Sequence, residues 1–166
     1  IVIGLGGSAT NDAGLGMLMA LGITFHDIND TLLTHGGGAL ASLHRLDNIN
    51  IHAKVLDTVF EVACDVTNPL CGLLGASAVF GPQKGACPEQ VKALDKALSH
   101  FATMCGHHGY EDCQHVEGAG AAGGLGYAMM TFFQAQLKSG FDTVAEVAHL
   151  SQHIAEADLV ITGEGK

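Results

Sequence analysis

A chain of 166 residues is long enough to bury a substantial core as one domain. Hydrophobic residues make up 48% and charged residues 14%, which argues against disorder, and no apolar run reaches the ~18 residues of a membrane span. The net charge of −10, with only seven Lys and Arg, makes nucleic acid and anionic membranes poor partners.

The same shortage of cations limits how a phosphate group could be held. Backbone N–H groups, a divalent cation and one or two well-placed lysines would have to carry the charge. The five cysteines, at 64, 71, 87, 105 and 113, form no CxxC pair and are odd in number, as expected of a reduced, cytoplasmic protein. No signal peptide is visible. The chain begins inside a strand without Met and stops at a glycine-rich turn, so it is expected to be a single α/β domain within a longer polypeptide.

In chain order, Ile1-Val2-Ile3 predicts a short buried strand, followed by glycines at 4, 6 and 7. Ser8, Thr10, Asn11 and Asp12 then place hydroxyl, amide and carboxylate groups where a helix would begin. A helix start offers free N–H groups and partial positive charge to an anion, whereas Asp12 or Asn11 could instead cap that helix. A rival template fits too. Gly4-x-Gly6-x-x-Ala9 matches a dinucleotide fingerprint, with Asp27 near the ~20-residue interval of a ribose-binding acid.

Residues 12–21 predict a short helix ended by Gly22, Ile23–His26 a strand, and Asp27–Asp30 a turn. After Gly36-Gly37-Gly38, apolar residues at 40, 43 and 46 predict a helix over 39–46. Val59–Ala63 is a strand, and Asp65 follows at its carboxyl end, where open α/β sheets place ligands. A carboxylate there could orient or deprotonate a hydroxyl, hold Mg²⁺, or close a turn; Asn68 and Pro69 come just after it. Lys84, flanked by Gly81 and Gly85, is a phosphate contact or a solvated lysine.

Pro88 opens the best-patterned helix, 89–104, with Val91, Leu94, Leu98 and Phe101 on one face. Cys105, His107, His108, Cys113 and His115 match no standard zinc spacing. Gly118–Gly126 is a second glycine-rich opening, either anion-facing or tightly packed, before an apolar helix over 125–137. Asp142 or Thr143 caps a helix to about His149, and Ser151 caps another. Residues 158–166 repeat the opening pattern of apolar strand and glycines, with Glu164 as a Mg²⁺ or hydroxyl contact or a turn residue.

Six of these segments resemble the bacterial glycerate kinases: GLGGSATND (4–12), GGGAL (36–40), ACDVTNPL (63–70), AVFGPQKGA (78–86), GAGAAGGLG (118–126) and ADLVITGEGK (157–166). They run in that family's order and cover essentially the whole chain. The resemblance implies a two-domain α/β enzyme, one domain inserted in the other, of which this chain is mainly the inserted part. It implies transfer of phosphate from ATP, with Mg²⁺, to the 2-hydroxyl of D-glycerate.

In that reading Gly6, Gly7 and Ser8 cradle phosphate or the substrate carboxylate, and Thr10, Asn11 and Asp12 fix the substrate. Asp65 orients or deprotonates the hydroxyl beside Asn68, Lys84 neutralises the moving phosphate, and Glu164 holds Mg²⁺. The family's opening Asp-Ser-Phe-Lys-Gly and its segments beyond residue 166 are absent, and Lys166 stands where Arg is common. The chain alone is therefore expected to be inactive. A nucleotide-dependent dehydrogenase and a non-catalytic sugar-acid-binding domain are the alternatives.

Overall fold

The β-branched opening residues form β1 (Val2–Gly4), although Ile1 and Val2 are exposed rather than buried as expected, and the chain then runs irregularly to α1 (Leu15–Ala20) and β2 (Thr24–His26). Then come β3 (Arg45–Asp47), α2 (Ala53–Leu56), β4 (Glu61–Ala63) and α3 (Ala76–Phe80). The second half holds α4 (Pro88–His107), α5 (Ala121–Phe133), β5 (Gln136–Lys138), α6 (Gly140–Val147) and α7 (Leu150–Glu156). These elements are those of a computed structural model, which describes residues 1–163.

β4 is the middle strand of a parallel sheet in the order β1-β4-β5, and its Val62 is fully buried. Because the strands are parallel, Leu5, Cys64 and Ser139 all leave the same edge of the sheet. The ladder continues one residue past the strands, with Leu5 N–H donating to Ala63 C=O at 2.9 Å and Cys64 N–H to Lys138 C=O at 2.8 Å. Parallel sheets of this kind gather ligands at their carboxyl edge. β2 and β3 form a separate antiparallel ribbon.

The main core lies away from the sheet. Leu98, Phe101 and Cys105 of α4 are fully buried against Leu15, Phe25, Leu40 and Tyr127. Val91 and Leu94 continue the same stripe at its partly covered end, while Lys92 and Lys96 are exposed, as the helical pattern predicts.

Several expectations are corrected. Of the apolar series 40, 43 and 46, only Leu40 lies in the 3₁₀ turn Gly37–Ser42; Leu43 follows it extended and Leu46 sits in β3, so the helical spacing spans two structures. The helix expected to reach 137 stops at Phe133, because Gln134 turns left-handed (φ 53°) and the chain then pairs as β5. Ser139, not Asp142 or Thr143, caps α6, its hydroxyl accepting from Asp142 N–H at 3.3 Å. Ser151 lies inside α7, which follows left-handed His149. Residues 158–161 form no strand among the described residues, and Leu159 and Ile161 are exposed.

Glycines at 118–126 serve close packing. Gly123 (φ 70°) lies against the Thr10 carbonyl oxygen, and its own carbonyl accepts from Ala13 N–H at 3.0 Å. A side chain there would meet both left-handed strain and backbone collision. Gly123→Ala is therefore expected to lower stability by about 2 kcal/mol or more, read from the denaturant midpoint. Gly38→Ala, whose added methyl meets no atom within 4 Å, should leave it nearly unchanged.

Candidate active site

The segment after β1 needs anchoring because it has no ladder of its own. Lys84 supplies the anchor from the far side of the loop, where Pro82–Lys84 form a single 3₁₀ turn held by Lys84 N–H to Gly81 C=O at 3.0 Å. Its ammonium donates to Ser8 Oγ at 2.9 Å and to the Thr10 carbonyl at 2.6 Å. One residue on, Asn11 Nδ2 donates to Ser77 Oγ at 2.9 Å, and Ser77 is fully buried in α3. Three hydrogen bonds thus tie the loop to one short helix-turn unit.

Partial burial lowers the pKa of Lys84 below the usual 10.5, and the negative charge of Asp12 works in the opposite direction. Lys84, Gln83, Gly6, Gly7, Ser8 and Val66 face a cavity of about 130 Å³. Asn11 Oδ1 is buried and accepts no hydrogen bond among the described residues.

Asp12 takes up the capping role. Its carboxylate accepts from Gly14 N–H at 3.0 Å and Gly16 N–H at 3.2 Å. The expected helix start directly behind the glycines is absent: α1 opens only at Leu15, and Asp12 covers its first amides. The groups around this loop are a lysine, hydroxyls and glycine backbone rather than a helix end.

Asp65 does stand at the carboxyl end of β4, but in a neighbouring cavity with Thr67, Glu117, Lys138 and Ser139. Its Oδ1 accepts from Gly140 N–H at 2.8 Å, tying the loop to the start of α6. Val66 lines both cavities, so the two are adjacent across one residue. Asn68 turns inward to the backbone, donating to the Leu74 carbonyl at 2.8 Å. The structure therefore gathers Ser8, Thr10, Asn11 and Lys84, with Asp12 beneath them, and leaves Asp65 and Asn68 to one side. Glu164 and Lys166 lie outside the described residues.

The dinucleotide template fails on two points. β2 pairs antiparallel with β3 instead of lying parallel beside β1. Asp27 closes its own turn, accepting from Asn29 N–H at 2.8 Å and Thr31 N–H at 2.9 Å. The cysteines and histidines of 105–115 do not converge, since Cys105 and Cys113 are buried while His107, His108 and His115 are exposed. Among the described residues no three His, Cys, Asp or Glu side chains form a metal-binding group, and no helix is long and apolar enough to cross a membrane.

Sequence reasoning missed Ser77 and Gln83. Ser77 could have been found as the lone hydroxyl in the small apolar run Ala76–Phe80. Gln83 carries no such signal beyond its place next to Lys84.

The profile of the Glycerate kinase family matches residues 1–166. The chain belongs to this family. It is 49% identical over 166 residues to the glycerate 2-kinase of Escherichia coli (strain K12), covering 100% of this chain and 44% of that protein. A glycerate kinase of Haemophilus influenzae (strain ATCC 51907 / DSM 11121 / KW20 / Rd) is 48% identical over 165 residues, 99% of this chain and 44% of its own length. A crystal structure from Salmonella typhimurium LT2, provisionally named glycerate kinase 2, superposes with a TM-score of 0.91 at 48% identity, over 100% of this chain and 44% of that one. The chain thus spans less than half the length of these relatives.

Lys84 is the main tie on the loop, so its removal should free that loop without loosening the core. Hydrogen bonds to a charged group contribute about 1.5–3 kcal/mol, less when partly solvated. Lys84→Met is expected to speed amide hydrogen exchange over residues 5–11 by about tenfold, with residues 97–105 unchanged. Unchanged exchange over residues 5–11 in Lys84→Met would show that Lys84 does not hold the loop.

Proposed function

We propose that the complete polypeptide catalyses transfer of the terminal phosphoryl group of ATP to the 2-hydroxyl of D-glycerate, giving 2-phosphoglycerate and ADP. The contact of Lys84 with Ser8 and Thr10, which puts one cation at a glycine-lined cavity, is the observation that carries this reading. The names of the relatives, one of them a glycerate 2-kinase, support it.

The substrate hydroxyl oxygen bonds to the γ-phosphorus as the bond from that phosphorus to the bridging oxygen breaks. ADP leaves, and the hydroxyl proton passes to a carboxylate, for which Asp65 is the candidate. Such reactions depend on positioning and on charge neutralisation more than on covalent chemistry by the protein. Lys84 offsets negative charge on the moving group, while Ser8 and the bare backbone of Gly6 and Gly7 meet its oxygens. Asp12 and Asn11 act through the loop, Asp12 by capping α1 and Asn11 through Ser77. Asn68 likewise sets the shape of the loop carrying Asp65.

Mg²⁺, when bound, screens the phosphate oxygens. Glu164 is the residue proposed to hold it, while Asp65, exposed and with its second oxygen free of hydrogen bonds among the described residues, is left for the substrate hydroxyl.

Product analysis of the intact protein by ³¹P NMR should show 2-phosphoglycerate. Formation of the 3-phosphate would contradict the regiochemistry, and absence of ADP would contradict the kinase reading. Residues 1–166 alone should release no ADP above background.

Lys84→Ala in the intact protein is expected to lower kcat/KM by about 10²-fold with the fold retained. The charged ammonium is the working form, so kcat/KM of the unsubstituted protein should fall as pH rises through a pKa below 10.5. Lys84→Arg, which stays charged, should remove that alkaline fall even if its rate is lower. An unchanged alkaline limb in Lys84→Arg would assign the titration to another group.

A further inference from the structure

Lys84 borders two cavities, the one of about 130 Å³ and a larger one. The second, of about 430 Å³, lies between the 3₁₀ turn Gly37–Ser42 and the first half of α4. Ala41 forms one wall and Ala93 with Leu94 the other, and Gly85 and Lys84 close the end nearest the loop. We infer that this groove holds the base and ribose of the nucleoside triphosphate, with its phosphates reaching Lys84, and that the 130 Å³ cavity holds the hydroxy acid. The inference rests on the kinase reading above and adds to it which reactant occupies which side of the lysine.

Size separates the two. Pockets for ligands as large as a nucleoside occupy about 300–1,000 Å³, a range that includes the groove and excludes the smaller cavity. The smaller cavity has room for roughly four waters at about 30 Å³ each, which suits an acid of three carbons.

Charge agrees with this order. In a chain of net charge −10, neither cavity bordered by Lys84 is lined by a carboxylate. Three further surface cavities each carry at least one: Asp95 in the first, Asp142 and Glu146 in the second, Asp65 and Glu117 in the third. Lys92 and Lys138 offset part of that charge in the first and third, whereas on both sides of Lys84 a cation stands with no carboxylate in the lining.

The glycines give an independent indication. Gly38 in the groove and Gly6 in the small cavity are not left-handed, and a methyl added to either would meet no atom within 4 Å. Neither backbone conformation nor packing asks for glycine at these two positions. Each leaves bare backbone facing a cavity that ends at the same lysine, which allows close approach by a ligand. Gln90, also in the groove, has its Oε1 occupied by Cys87 N–H at 2.9 Å, leaving its amide N–H groups as donors toward a base.

Ala41 and Ala93 are exposed, so larger side chains there fill the groove without entering the core. The test is calorimetric titration of the intact protein with AMP-PNP, a non-hydrolysable ATP analogue, for Ala93→Phe and separately for Ala41→Phe. Unchanged thermal midpoints establish that each variant is folded, and two variants on opposite walls guard against one failing. The expected result is a rise in the AMP-PNP Kd of tenfold or more, with the KM for D-glycerate within twofold of the unsubstituted value. An AMP-PNP Kd within twofold in a folded variant overturns the inference, as does a rise confined to the KM for D-glycerate. Failure of the unsubstituted protein to bind AMP-PNP overturns the kinase reading along with it.

Discussion

The ammonium of Lys84 reaches across 76 residues of sequence to Ser8 Oγ and across 74 to the Thr10 carbonyl, and the geometry of the site follows from that reach. A glycine-rich loop leaving a strand end has high conformational entropy and little side-chain packing to order it. In a protein with only seven Lys and Arg, placing one of them against two loop oxygens orders the segment and concentrates positive charge in a single step. Partial burial raises the cost of that charge, as the lowered pKa of Lys84 records, and an anionic ligand would restore the balance.

The same loop is fixed from below by backbone. Gly123 and Gly124 approach Thr10, Asn11 and Ala13 so closely that neither has room for a side chain, and Gly120 lies equally close to Pro69. These contacts bring the segments after β1 and β4 against the start of α5, over the carboxyl edge of the parallel sheet. Glycines in this family motif therefore divide by function. Those at 120, 123, 124 and 126 let backbones touch, while those at 6 and 38 leave open space beside Lys84.

The sequence made the short parallel strands, the long helix α4 and the loop position of Asp65 legible, because each has a strong local signal. β-Branched runs predict β1 and β4, Pro88 with a four-residue apolar stripe predicts α4, and a turn pattern at Asp27–Asp30 predicts what is found. The errors arise where one pattern serves two structures. Spacing of three at Leu40, Leu43 and Leu46 looks like one face of an α-helix, yet a 3₁₀ turn and a strand bury all three. Gln134 carries no sign in its own chemistry that it ends a helix left-handed, so β5 was hidden in an apolar run. The dinucleotide fingerprint was ambiguous for a deeper reason: it describes a glycine turn, and which strand pairs beside β1 is settled only by long-range contacts. The tie between Lys84 and Ser8 is of the same long-range kind, as is the burial of Ser77 under Asn11.

If Lys84 stands between the two reactants, its side chain must sense both. Lysine ¹³Cε resonances of the intact protein, with Lys84 assigned by its loss in Lys84→Met, report this directly when AMP-PNP and D-glycerate are added one after the other. The account predicts that each ligand moves the Lys84 resonance and that bound AMP-PNP raises its pKa back toward 10.5, as a nearby anion must. A Lys84 resonance that responds to neither ligand would contradict the account at its centre.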